Sequence, residues 1–121
     1  MGFSNYGNYD GLGLAELVRK GEVSATELLD EAIARAEKLD PHINAVVVKH
    51  SDHARAQIDK GLPDGPFRGV PFLLKDLNLL TGTPTTFGSS LFKDFVADHN
   101  NTITDRYLAA GVTIFGKSAS P

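Results

Sequence analysis

The sequence predicts an α/β fold with helices packed on a partial mixed or parallel sheet, and three observations predict it. Amphipathic and apolar segments alternate in the order helix, helix, strand, helix, strand, loop, helix, strand. A helical pattern between the last two strands calls for at least one parallel crossover. Apolar residues make up 41% and charged residues 22% of 121 residues, which suits one folded unit and leaves no room for two ordinary domains.

Leu14, Leu17 and Val18, followed by Gly21, predict a short helix that stops at a glycine able to turn left-handed, with Leu12 leading into it. Ser24 and Glu27 form an S-x-x-E capping box. The stripe Leu28, Leu29, Ala32, Ile33, Ala36 and Leu39 then predicts a longer helix that ends before Pro41. Asn44 to Val48 is apolar and β-branched, as a buried strand should be, and Ser51 to Lys60 before Gly61 predicts a third helix.

Gly61 to Gly69, reading GLPDGPFRG, is a loop by its glycines and prolines. Val70 to Leu74 is a strand that tolerates Pro71 at its start or on a sheet edge, and Lys75 and Asp76 follow at once. Thr81 to Ser90 reads as a second loop. Asn101 or Thr102 caps a helix carrying Ile103, Tyr107 and Leu108, which stops at Gly111, and Val112 to Phe115 is the last strand. Residues 1–61 thus form a helical lead-in with one strand, and residues 62–121 a lysine strand, loop, helix and strand within one unit. Ending on GKSASP directly after a strand, with no covering helix, the chain reads as a truncation.

Composition narrows the function classes. Twelve basic residues against 15 acidic ones give a net charge of -3, spread along both halves, so no nucleic-acid footprint is expected. Without cysteine there is no disulfide, thiolate zinc site or Cys nucleophile. The first residues, MGFSNYGNYD, show no secretory leader, and Tyr6 breaks a myristoylation pattern. No apolar run approaches the roughly 18 residues of a membrane helix, so a cytoplasmic chain with no membrane partner is expected.

Gly111, Gly116, Lys117 and Ser118 satisfy G-x-x-x-x-G-K-S, but a phosphate loop needs a strand before it and a helix after it. Here the order is reversed, and these residues read as a helix stop and strand exit with no nucleotide cofactor. His50 and His53 share a helical spacing, yet with His42 and His99 remote there is no third ligand. They read as solvent-facing polar residues, and no metal is expected.

Lys75 ends an apolar run, a position that strips water from an ammonium, and a desolvated lysine can act as a general base. Pairing with Asp76, or snorkelling to solvent, is the plainer alternative. The wider text weighs between them. GVPFLLKDLNLLTGTPTTFGS, followed by AAGVTIFGKSASP and preceded by LVRKGEVSATELLDEAIARAEKLDPHINAVV, resembles the N-terminal portion of the amidase signature hydrolases over nearly all of the chain.

That resemblance implies an amidase-type fold and hydrolysis of a carboxylic amide by a Ser, cis-Ser and Lys unit, with no cofactor. It implies that Lys75 is the base and Asp76 a supporting residue. The segment bearing both serines would lie downstream of Pro121, so the 121 residues alone are expected to be inactive and to act on a small-molecule amide only when completed. Ser89, Ser90, Ser118 and Ser120 match other positions of the family pattern and are not its nucleophile. The resemblance also leaves room for the amidotransferase subunit that amidates misacylated tRNA. From a different class, a noncatalytic module that oligomerises through apolar surface is the alternative.

Overall fold

The computed structural model of the protein describes residues 3–119. In chain order the elements are α1 (Gly11–Arg19), α2 (Ala25–Ile43), β1 (Val46–Lys49), α3 (Ser51–Lys60), β2 (Pro71–Lys75), α4 (Thr102–Ala109) and β3 (Thr113–Ser118), with short 3-10 turns at Tyr6–Asn8 and Ser90–Phe92. The predicted order of helices and strands is the observed one. The sheet runs β1-β3-β2, antiparallel between β1 and β3 and parallel between β3 and β2, and is therefore mixed. The parallel pair is closed by the long connection through α4, as predicted.

The helix ends follow from their sequences. Ser24 Oγ accepts from the Glu27 N–H at 3.0 Å, and the Ser24 N–H donates back to Glu27 Oε1 at 3.1 Å, so the predicted capping box is formed. The opposite end departs from expectation: α2 continues through Pro41 to Ile43 instead of stopping before it. Three hydrogen bonds hold this last turn. Asn44 adopts a left-handed conformation at φ 52° and its N–H donates to the Asp40 carbonyl, while the Asp40 carboxylate accepts from the Ala45 and Val46 N–H groups. Asp40 thereby binds the helix end to the first strand, and β1 begins at Val46 rather than Asn44.

Two apolar clusters hold the layers. Leu14, Val23, Leu28, Val70, Leu74, Leu80, Val112 and Ile114 pack α1, α2 and the sheet together, and Leu29, Ala32, Ala54 and Phe115 join α2 and α3 to β3. An ion pair between Arg55 and Asp30, 2.7 Å, crosses from α3 to α2 at the surface. Every residue of β3 from Thr113 to Lys117 is buried, as befits a central strand. Pro71 starts β2 at the sheet edge, where its missing N–H removes nothing from the ladder. β3 extends three residues past the predicted end at Phe115, because Gly116, Lys117 and Ser118 pair with β2 or β1. No helix among the described residues is long and apolar enough to cross a membrane.

Candidate functional site

β2 and β3 run parallel and end together, with Leu74 opposite Lys117 and Lys75 opposite Ser118. Side chains alternate along β2, so Leu74 is fully buried and Lys75 is exposed. The expected desolvation of Lys75 is therefore not provided by residues 3–119. Nor is the alternative, an ion pair with Asp76, formed, since among the described residues no carboxylate lies within salt-bridge distance of Lys75.

Asp76 faces the other way. It is 1% exposed, its Oδ1 accepts from the Thr86 N–H at 2.9 Å, and its Oδ2 accepts from the Thr86 hydroxyl. The carboxylate that follows Lys75 is thus committed to the loop after β2. Residues 82–86 of that loop lie against residues 95–97: the Gly82 N–H donates to the Ala97 carbonyl, the Ala97 N–H to Thr83, and the Thr85 N–H to Phe95.

The buried cation among the described residues is Lys117. Its side chain is fully buried, and its Nζ donates to Thr83 Oγ1 at 2.7 Å, to Thr85 Oγ1 at 2.9 Å and to the Pro84 carbonyl. Burial pushes the ammonium down to about 8, with the Asp76 carboxylate opposing. Strand pairing thus carries desolvation to Lys117, a lysine whose local pattern shows only a strand exit. A signal is present in the sequence all the same: a lysine continuing an otherwise uncharged, largely apolar strand needs oxygen acceptors, and Thr81, Thr83, Thr85 and Thr86 supply a hydroxyl-rich loop.

The histidines also differ from expectation. His42 and His99 are exposed, but His50 and His53 are only partly so. Both ring nitrogens of His50 and Nδ1 of His53 are buried without a hydrogen-bond partner, and the rings meet edge-on with centroids 5.6 Å apart. Packing of α3 against β3 turns them inward instead of to solvent. Burial, then Lys117, then His53, lower His50 from the ordinary 6.5 to about 4.

A neutral imidazole in the fold and a titrating one in the unfolded chain mean that the unfolded state binds the extra proton as pH falls. The contribution of His50 to stability is expected to be fully present above pH 6.5 and to be lost between there and about 4. Urea midpoints at about pH 7 and about pH 4.5 check this: His50→Asn should flatten the dependence, and an unchanged slope would refute the assignment.

Ser89 and Ser90 are exposed in the loop, and the Ser89 hydroxyl accepts from the Leu91 N–H at 3.2 Å. Ser118 ends β3, and Ser120 lies outside the described residues. Among the described residues no base is hydrogen-bonded to Ser89, Ser90 or Ser118. The Gly111 to Ser118 segment forms a helix stop followed by a strand, the reverse of a phosphate loop, as expected.

A family profile described as Amidase matches residues 27–121. The chain is 41% identical to the 6-aminohexanoate-cyclic-dimer hydrolase of Paenarthrobacter ureafaciens over 115 residues, covering 93% of this chain and 23% of that protein. It is 33% identical to an acylamidase of Rhodococcus erythropolis, covering 89% of this chain and 24% of that one, and 32% identical to a glutamyl-tRNA(Gln) amidotransferase component of Halorhodospira halophila, covering 87% and 23%. A solved structure of 6-aminohexanoate cyclic dimer hydrolase superposes with a TM-score of 0.85 at 39% identity, over 93% of this chain and 24% of that one. The chain therefore spans about a quarter of the length of these relatives.

Proposed function

The chain belongs to the amidase signature family, and from that premise we propose that it supplies the lysine base of a hydrolase that cleaves carboxylic amides through a Ser, cis-Ser and Lys unit. The observation that carries the reading is Lys75 itself. It stands at the carboxyl end of a parallel strand, where open α/β sheets bind ligands, and the adjacent carboxylate of Asp76 is engaged by Thr86 rather than by its ammonium.

The two serines are supplied by sequence outside residues 1–121. Packing of that segment over the exposed Lys75 encloses its amine together with the two serines. Lys75 then withdraws the proton of the nucleophilic serine through the cis-Ser. The serine attacks the amide carbonyl, the tetrahedral intermediate expels the amine with a proton, and water hydrolyses the acyl-enzyme to the acid. Backbone N–H groups of the serine segment stabilise the oxyanion. Asp76 supports the base by holding its loop. The likeness to the cyclic-dimer hydrolase favours an aliphatic amide substrate over the amidotransferase branch, since identity is 41% against 32 to 36% for the amidotransferase subunits.

The test is a chimera in which residues 1–121 replace the segment they align with in the 6-aminohexanoate-cyclic-dimer hydrolase. Ring opening of the cyclic dimer by the chimera, read as a new primary amine and carboxylate on the linear product, and none by the isolated 121 residues, is expected. A folded chimera without turnover would overturn the reading.

A second reading, assembly through apolar surface, draws on the exposure of Leu39 at 55%, Ile43 at 67% and Leu91 at 82%. Sedimentation at several concentrations separates the two, because a monomer at all of them leaves no support for assembly.

A further inference from the structure

Three hydrogen bonds at Nζ set the protonation of Lys117 and its task. The hydroxyl proton of Thr83 is given to the Leu80 carbonyl at 2.7 Å, and that of Thr85 to the Asn78 carbonyl at 3.3 Å. Both hydroxyls can therefore only accept from Lys117, and the Pro84 carbonyl is an acceptor by nature. Three acceptors converge on one Nζ, and an ammonium carries three protons. A neutral amine would fill two of these bonds and aim its lone pair at the third oxygen. Among the described residues no carboxylate lies within salt-bridge distance of this cation, so it is held by neutral oxygens of a single stretch of chain.

The stretch is the one bound to Asp76, the residue after Lys75. Residues 83–85 are held from the β3 side by Lys117, and residue 86 is held from the β2 side by Asp76. Lys117 is paired across the sheet with Leu74, the residue before Lys75. We propose that Lys117 is the positioning residue of the Lys75 site, a three-proton clamp that seats Thr83 to Thr86 against Asp76 and so sets the strand end from which Lys75 projects. This deepens the reading of Lys75 as the base and rests on it. Lys117 touches no reacting atom; it acts through the loop.

The experiment is side-chain and amide NMR on the 121-residue chain labelled with nitrogen-15. At pH 7 the wild type should show an ammonium resonance shielded from water exchange, which disappears in Lys117→Met. In that variant the amides of Thr83, Thr85, Thr86 and Ala97 should exchange about tenfold faster or more, the usual weight of a charged hydrogen bond. Those of Leu28 and Leu29 should hold, and the Lys75 Nζ resonance should move. Loop and α2 amides accelerating by one common factor, with the Lys75 resonance unmoved, would overturn the proposal, as would a neutral Lys117 at pH 7. Should Lys117→Met fail to fold, Thr85→Val removes one acceptor and is judged by the same Lys75 resonance. A resonance that moves while a Lys75→Met chimera stays active would uphold the clamp and overturn the base.

Discussion

Lys75→Met in the chimera with the cyclic-dimer hydrolase is expected to lower kcat/KM for amide hydrolysis by about a thousandfold or more, the usual loss when a base in a catalytic unit is removed. The loss should fall on kcat, because the aliphatic stem survives the substitution and substrate contacts are left in place. Lys75→Arg should not rescue, since a guanidinium keeps its proton at any working pH. Lys75 is exposed within residues 3–119, so in the isolated 121-residue chain the same substitution should leave the urea midpoint unchanged. Turnover within about tenfold of the parent would remove Lys75 from the chemistry. Loss of activity together with loss of folding would instead make the lysine structural.

Gly111→Ala is expected to destabilise the chain by about 3 kcal/mol or more, against about 1 kcal/mol for Gly21→Ala. Both glycines have positive φ, 96° and 74°, so the backbone cost of a side chain is shared. Their surroundings differ. A Cβ at Gly21 meets nothing within 4 Å, whereas one at Gly111 would stand 2.6 Å from the Arg68 Cα.

Gly111 follows the end of α4, where its N–H donates to the Leu108 carbonyl and its carbonyl accepts from the Gly69 N–H. The loop before β2 lies directly on this turn, and a Cβ at Gly65 would overlap the Ala110 carbonyl in the same way. Two backbones without intervening side chains therefore meet where α4 hands over to β3. Urea unfolding of both variants decides the matter, and equal losses would show that the close approach contributes nothing.

Local chemistry made much of this fold legible. The Ser24 and Glu27 pair, the glycine stops at Gly21 and Gly61, and the proline at the head of an edge strand act within a few residues of themselves, so sequence suffices for them. The family resemblance, too, is readable from the Gly69 to Ser89 text, and the profile match supports it. Pro41 misleads because its missing N–H costs a bond only at the Glu37 carbonyl, while the residues beyond it are held by the Asn44 N–H and the Asp40 carboxylate.

The site is harder to read. Which lysine loses its water is decided by strand parity and by threonines 32 and 34 residues away from Lys117, and no local pattern carries that information. The same holds for His50 and His53, whose inward turn depends on β3 lying under α3.

Among the described residues the middle strand of the sheet is the last of three along the chain. Val48 must wait for Lys117, and Leu73 for Gly116, before either finds its partner. During synthesis the helices can form as they emerge from the ribosome, but β1 and β2 have no ladder to join until residues 113–118 are free of the exit tunnel. Two unpaired apolar strands are thus exposed until the third arrives. The charged surface of α2 and α3 and the edge proline Pro71 are what this chain carries against premature strand-to-strand association.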